Sequence, residues 1–277
     1  MLIKDLKYYK RSANYTSNTS GVDHPDSSNR TTKKWHAYPI QDFDYKFNSW
    51  GFRGPEYAQF VGKSVNLCLG DSFTVNVGGP IEHSWCSQLA LHFDIPTLNL
   101  GMDGAGNDAI RLVYERACKI FDVQNTFVMY SYLHRRLKNN DFIQLGYLDD
   151  KENINYFEKN MIQDAIYTFL PSWCWDEEEE LDYLQNRHIN NLYNLPHSKS
   201  LSYTQMSKKM YNLLKGIDWV PYDEFTKGIT NETMQDDEIF ISNIGKRWDN
   251  VNRDGLHLNQ SANKIVADFL WSQYNAS

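Results

Sequence analysis

The chain has 277 residues, enough for one large α/β domain or two small ones, and 41% of them are hydrophobic, which supports a packed core. The formal net charge of −7 argues against a general nucleic-acid-binding protein, which would carry a basic face. The N-terminus lacks an apolar signal core, and no run of about 18 apolar residues occurs. We therefore expect a soluble cytoplasmic protein, or a virion-associated one if the gene is viral, with no membrane partner.

The composition changes near residue 40. Arg11–Lys34 contains no Leu, Ile, Met or Phe and is rich in Ser, Thr and Asn. A segment of this kind cannot bury enough apolar surface to fold by itself. The sequence therefore predicts a flexible or extended arm over residues 1–40, followed by a single domain over residues 41–277.

Apolar runs alternate with helical patterns in the first half of that domain. The runs predict strands, and the helical spacings predict helices that begin near Ser84, after a cap at Asn107 or Asp108, and after a cap at Asn259. The predicted strands are Val65–Leu69, Pro96–Gly101 and Thr126–Tyr130. This alternation predicts a parallel sheet with helices on both faces. Ligands of such sheets bind at the carboxyl ends of the strands.

The pattern is more polar and helical from Asp141 to about Gly216. We expect an inserted helical segment at about residues 141–201 that forms a lid over the site. A late strand is predicted at Gly216–Val220.

A serine placed just beyond a strand end is the first chemical signal. Ser72 follows the apolar run Val65–Leu69 after Gly70 and Asp71. A serine hydroxyl is a weak nucleophile unless a base accepts its proton, and the base needs an orienting group. His257 is the predicted base, and Asp254, three residues earlier, is predicted to fix its tautomer.

Glycines supply the second signal. Backbone N–H groups around Ser72 and in the turn Gly101–Gly106 are predicted to form an oxyanion hole, because glycine permits close approach to the developing charge. The turn lacks the spacing of a dinucleotide-binding loop and the lysine of a P-loop. The chain also has neither His-x-His nor His-Glu-x-x-His. We expect no cofactor and no metal.

Four stretches together resemble the SGNH (GDSL-type) hydrolases, over roughly residues 48–120 and 249–273. They are the lead-in Asn48–Gly54, the block Gly70–Thr74, the turn Asn99–Gly106 and the segment Asp254–His257. The Gly-x-Ser-x-Gly elbow of α/β-hydrolases is absent, since Thr74 stands where its second glycine would be.

The resemblance implies a flavodoxin-like three-layer α/β/α fold with a parallel central sheet. It implies that Ser72 is the nucleophile, His257 the base and Asp254 its orienting partner. It also implies that the backbone of Ser72 and of Gly104 supplies oxyanion donors.

One block departs from the family pattern. SGNH hydrolases usually place Gly-x-Asn-Asp at the end of the next strand, where the Asn side chain is a third oxyanion donor. This chain has Tyr132-Leu133-His134-Arg135 there. His134 or Arg135 is a candidate replacement donor, and Asn107 is a more distant candidate.

The function that these residues favour is a serine hydrolase that cleaves a small acyl ester through an acyl-enzyme. An O-acetyl group on a carbohydrate is one candidate substrate, so an acylated glycan is a candidate partner. Two alternatives stay open. One is a carbohydrate O-acyltransferase with the same triad, and the other is a non-catalytic glycan-binding or structural protein on the same scaffold.

Overall fold

The computed structural model describes residues 21–23, 43–132, 135–144, 150–169 and 257–276. Near the N-terminus, β1 (Gly21–Asp23) pairs antiparallel with β2 (Phe43–Tyr45). Three residues of the predicted arm thus form a strand, and the arm as a whole stays a prediction. The elements that follow are β3 (Ser64–Gly70), α1 (Ser72–Val75), α2 (Trp85–Ala90), β4 (Thr97–Gly101), α3 (Asn107–Ala117), β5 (Asp122–Tyr130), β6 (Arg135–Lys138), β7 (Asp141–Gln144), α4 (Asp150–Asn160), β8 (Ile166–Phe169) and α5 (Gln260–Asn275).

The central sheet has four strands in the order β4-β3-β5-β8, and every neighbouring pair is parallel. The prediction of a parallel sheet is confirmed, and the three predicted strands are adjacent in it as β4, β3 and β5. β5 begins at Asp122, four residues before the predicted Thr126. Its first residues alternate between exposed and half-buried positions, so no apolar run marks them.

Helices cover both faces of this sheet. The chain moves outward from β3 to β4 and then crosses back over β3 to reach β5. Right-handed crossovers in opposite directions place α2 and α3 on opposite faces. α2 packs against α5, and α3 packs against α4. The predicted flavodoxin-like three-layer arrangement is confirmed.

The helix starts follow from side-chain caps. The Ser84 hydroxyl accepts a hydrogen bond from the Ser87 N–H at 3.1 Å, and the Asn259 side chain accepts one from the Ala262 N–H at 3.1 Å. Asn259 is the predicted cap of the last helix, whereas the predicted cap of α3 at Asn107 or Asp108 is wrong, because α3 already begins at Asn107 after Gly106. The apolar positions predicted on α3 are fully buried: Ile110, Val113 and Ala117. These caps and stripes set the helices against the sheet.

The predicted helical insertion is wrong at two described places. Asp141–Gln144 is a strand that forms a hairpin with β6, and Ile166–Phe169 is the fourth strand of the central sheet. Asn139 and Asn140 both have positive φ, 51° and 62°, which a two-residue hairpin turn requires. α4 is helical as predicted, and residues 170–201 and Gly216–Val220 lie outside the described residues. No described helix is long and apolar enough to cross a membrane.

Candidate active site

The carboxyl ends of the parallel strands meet at one edge of the sheet. Gly70 at the end of β3 pairs with Gly101 at the end of β4, and β5 runs beside them to Tyr130. Ser72 comes two residues after β3 and begins α1. Because ligands of open parallel sheets bind beyond this edge, we take it as the candidate site.

Helix α1 lies directly on the strand ends. A Cβ on Gly101 would stand 2.7 Å from the Val75 nitrogen and 2.9 Å from the Thr74 carbonyl carbon. A Cβ on Gly70 would overlap Thr74 Oγ1. Only glycine allows the backbones to approach this closely. The position of Ser72 is therefore fixed by the sheet below it.

Two backbone N–H groups at this edge are candidate oxyanion donors. The N–H groups of Ser72 and Gly104 donate to no described residue. Gly104 has a φ of 76°, in the left-handed region that glycine favours. Ser72 is only 4% exposed, so a bound oxyanion would be shielded from water, where such donors stabilise charge most strongly.

Asp71, directly before Ser72, is the centre of a buried polar network. Its Oδ1 accepts the Phe73 N–H at 3.1 Å. Its Oδ2 accepts the Ser131 hydroxyl at 2.8 Å and Arg135 Nη1 at 2.7 Å. Burial raises the pKa of Asp71 above its ordinary value, and the Arg135 guanidinium and the hydrogen bonds oppose that rise. Asp71 therefore ties the start of α1 to the end of β5.

The imidazole of His257 lies beside α1. Its ring centroid is 4.7 Å from that of Phe73, the residue after Ser72. His257 is also close enough to Asp71 to lower the pKa of that carboxyl. It is 6% exposed and precedes α5. Its predicted orienting partner, Asp254, lies outside the described residues, so that role stays a prediction.

Of the candidate third donors, His134 lies outside the described residues. Asn107 is clamped to the end of β5: its Nδ2 donates to the Ser131 carbonyl at 2.8 Å, and its Oδ1 accepts the Ser131 N–H at 2.8 Å. One amide hydrogen of Asn107 is thus already engaged, and its oxyanion role stays a prediction. The guanidinium of Arg135 reaches Asp71, which lies directly before Ser72.

The β6–β7 hairpin borders the glycine-rich turn. A Cβ on Gly104 would lie 3.8 Å from the Phe142 ring, and one on Gly106 would lie 2.6 Å from the Arg135 carbonyl oxygen. The sequence predicts a helical lid from Asp141 onward, whereas the described segment beside the turn is this hairpin. The carbonyl of Arg135 and the ring of Phe142 thus shape one wall of the site.

The groups that hold the far end of α1 are not predicted from the sequence. Arg53 Nη1 donates to the carbonyls of Val75 and Asn76 at 3.1 and 2.6 Å, and its Nη2 donates to Gly79 at 2.9 Å. The guanidinium also lies 4.2 Å from the centroid of the Tyr45 ring. The sequence shows only that Arg53 lies in a segment rich in aromatic residues and glycines. That pattern does not indicate which carbonyls the arginine binds.

The described residues hold no group of three or more His, Cys, Asp or Glu side chains placed to bind a metal ion. The site as described is built from serine, imidazole and backbone N–H groups, with one buried ion pair beside them.

No protein-family model matches the chain, and no curated protein matches it. The chain is similar to solved structures. One is the psychrotrophic esterase EstA from Pseudoalteromonas sp. inhibited by monoethylphosphonate, with 16% identity, a TM-score of 0.36, and coverage of 76% of this chain and 96% of that chain. Another is a protein from Desulfitobacterium hafniense DCB-2 assigned to the lipolytic G-D-S-L family, with 13% identity, a TM-score of 0.32, and coverage of 76% of this chain and 98% of that chain.

Proposed function

We propose that the chain is a serine hydrolase that cleaves the ester of a small acyl group through an acyl-enzyme on Ser72. The observation that carries the proposal is the contact between the His257 and Phe73 rings at 4.7 Å. It brings the nearly buried imidazole beside the residue that follows Ser72, from a position 185 residues further along the chain. The Ser72 hydroxyl lies where the strands end.

The chemistry follows from these groups. The Ser72 oxygen attacks the ester carbonyl, and its proton passes to His257 acting as general base. The N–H groups of Ser72 and Gly104 donate hydrogen bonds to the tetrahedral oxyanion. His257 then gives the proton to the leaving alcohol, and a water molecule activated in the same way releases the acid. Asp254 is proposed to orient the imidazole.

We expect the site to accept only part of the range of esters. Ser72 is nearly buried, and Phe142 packs close to Gly104. A confined site of this kind suits a small acyl group such as acetyl. O-acetylated carbohydrates are the substrates that we put forward, with water or a sugar hydroxyl as the acceptor.

The test is ester turnover. Wild type, Ser72→Ala and the control Ser261→Ala are incubated with acetyl, butyryl and octanoyl esters of p-nitrophenol and with acetylated sugars. Ser261 is exposed on α5, so the control removes the same hydroxyl without touching the strand edge. We expect Ser72→Ala to lose on the order of a thousandfold or more in kcat/KM. The control should keep wild-type turnover, and acetyl should be the best acyl group.

Two results would count against the proposal. Equal turnover by wild type and Ser72→Ala would remove Ser72 from the chemistry. Binding of an acetylated sugar with no turnover by wild type would favour the non-catalytic alternative. Acetyl transfer to an added sugar, detected by mass, would identify the acyltransferase alternative instead of hydrolysis.

A further inference from the structure

One buried asparagine lies on the apolar face of α5. Asn263 is 0% exposed, as are its inward-facing neighbours Ala262 and Val266. A polar amide on such a face costs free energy unless its hydrogen bonds are made. Its partners therefore show what it does.

The amide of Asn263 joins three segments. Its Nδ2 donates to the carbonyls of Leu258 and Asn259 at 2.8 and 3.0 Å, and to the Asn76 side-chain oxygen at 3.0 Å. Its Oδ1 accepts the Trp85 N–H at the start of α2, at 3.0 Å. Leu258 is the residue next to His257.

Asn76, the acceptor across this link, is itself held. It ends α1 in the left-handed conformation with φ 60° and ψ 56°. Its Nδ2 donates to the Pro80 carbonyl at 2.6 Å, and its own carbonyl accepts Arg53 at 2.6 Å. The Asn76 side-chain oxygen that accepts the Asn263 hydrogen bond therefore has a fixed position relative to Ser72, which is four residues earlier in the chain.

We propose that Asn263 is a positioning residue that sets the place of His257 relative to Ser72. The inference rests on the proposed function for its effect on rate, but the positioning itself is a statement about structure. Among the contacts that join the segment carrying His257 to α1 are the one between the His257 and Phe73 rings and the Asn263–Asn76 hydrogen bond. Without the Asn263 side-chain amide, no hydrogen bonds through that residue link the Leu258 carbonyl to the Asn76 side chain.

The expected effect on rate is large for a residue outside the chemistry. A general base must lie within hydrogen-bond reach of its proton, and a displacement of about 1 Å can lower the rate about a hundredfold. Substrate binding depends on other walls of the site. The loss should therefore appear in kcat and not in KM.

The test compares Asn263→Ala with Val266→Ala. Both truncate a buried side chain of α5 near its start, but only the first removes the link. Asn76→Gly removes the acceptor and keeps a residue that tolerates the left-handed conformation. The measurements are kcat and KM for an acetyl ester, the rate of Ser72 modification by a fluorophosphonate, and the proton NMR signal of the His257 ring, assigned with His257→Gln.

We expect Asn263→Ala to lower kcat and the modification rate ten- to a hundredfold, with KM within about threefold of wild type. The His257 ring signal should lose the shift caused by the Phe73 ring. Val266→Ala should change neither the two rates nor the His257 ring signal. The double variant Asn263→Ala/Asn76→Gly should lose clearly less than the sum of the two single losses, because both single changes break the same link.

The proposal is overturned if Asn263→Ala leaves the His257 signal in place, or if Val266→Ala reduces kcat equally. A wild-type protein that is not modified at Ser72, but whose His257 signal still moves in Asn263→Ala, would refute the hydrolase and retain the positioning role.

Discussion

The two ends of helix α1 are held by different chemistry. At its start, the Asp71 carboxylate is buried against Arg135 and Ser131 and connects α1 to the end of β5. At its far end, Asn76 meets Asn263 through a neutral amide link to the C-terminal helix. The first connection depends on a titratable group, whereas the second does not. The place of Ser72 should therefore depend on pH through the first end and not through the second, where Asn263 and Arg53 hold Asn76 by hydrogen bonds.

The largest expected effect comes from breaking the charged end. Arg135→Leu leaves the buried Asp71 carboxylate without its ion-pair partner, which typically costs about 3–5 kcal/mol. Lys138→Leu, an exposed substitution on the same strand, is the control and should change stability by less than about 0.5 kcal/mol. Urea unfolding measures both. Equal stability of the two variants would show that the Asp71–Arg135 pair does not hold α1.

A smaller loss of stability is expected from changing Gly101, the β4 residue on which the far end of α1 rests. Gly101→Ala would place a methyl group 2.7 Å from the Val75 nitrogen, and overpacking of this kind costs about 1–3 kcal/mol. Gly62→Ala adds the same methyl group where no atom lies within 4 Å, although its φ of 70° carries a penalty of about 1 kcal/mol. Thermal unfolding should show Gly101→Ala as the less stable variant. The reverse order would mean that α1 does not rest closely on β4.

The smallest expected effect is the pH dependence of the free energy of unfolding that comes from Asp71. Burial raises the pKa of Asp71 in the folded chain above its ordinary value of 3.8. At a pH between the ordinary pKa and the raised pKa, the folded chain therefore binds more protons than the unfolded chain. Stability from this group therefore falls as pH rises through that window, by at most about 1.4 kcal/mol per pH unit.

The measurement for this effect is urea unfolding of wild type and Asp71→Asn from pH 4 upward. The stability of wild type relative to Asp71→Asn should decrease as pH rises. An increase would mean that the pKa of Asp71 is lowered by folding. Asn263→Ala, which changes the neutral end, should run parallel to wild type.

The sequence predicted the parts of the fold that local patterns encode. The apolar run at Val65–Leu69 and the cap at Asn259 both lie where expected. The β6–β7 hairpin was missed because its short strands are polar and its turn depends on two asparagines with positive φ. β8 was missed because it has only four residues, and periodicity cannot tell so short an apolar run from part of a helix.

The site divides in the same way. Ser72 and the glycine-rich turn follow from their places after strand ends, so sequence spacing was enough to put them at one edge. Ser131, which binds Asp71, is 60 residues away in the chain, and Asn263, which binds Asn76, is 187 residues away. No local pattern reports such contacts. A buried Asn263 on an apolar helix face was the one usable signal, since it implies a hydrogen-bond partner without naming it.

The central claim is that Ser72 is an activated nucleophile, and its most direct test is the intact mass of the protein after incubation with a fluorophosphonate. Wild type and Ser72→Ala are compared after circular dichroism has shown both to be folded. The account predicts a single adduct on wild type and none on Ser72→Ala. A folded wild type without an adduct, or an adduct that persists in Ser72→Ala, would contradict it.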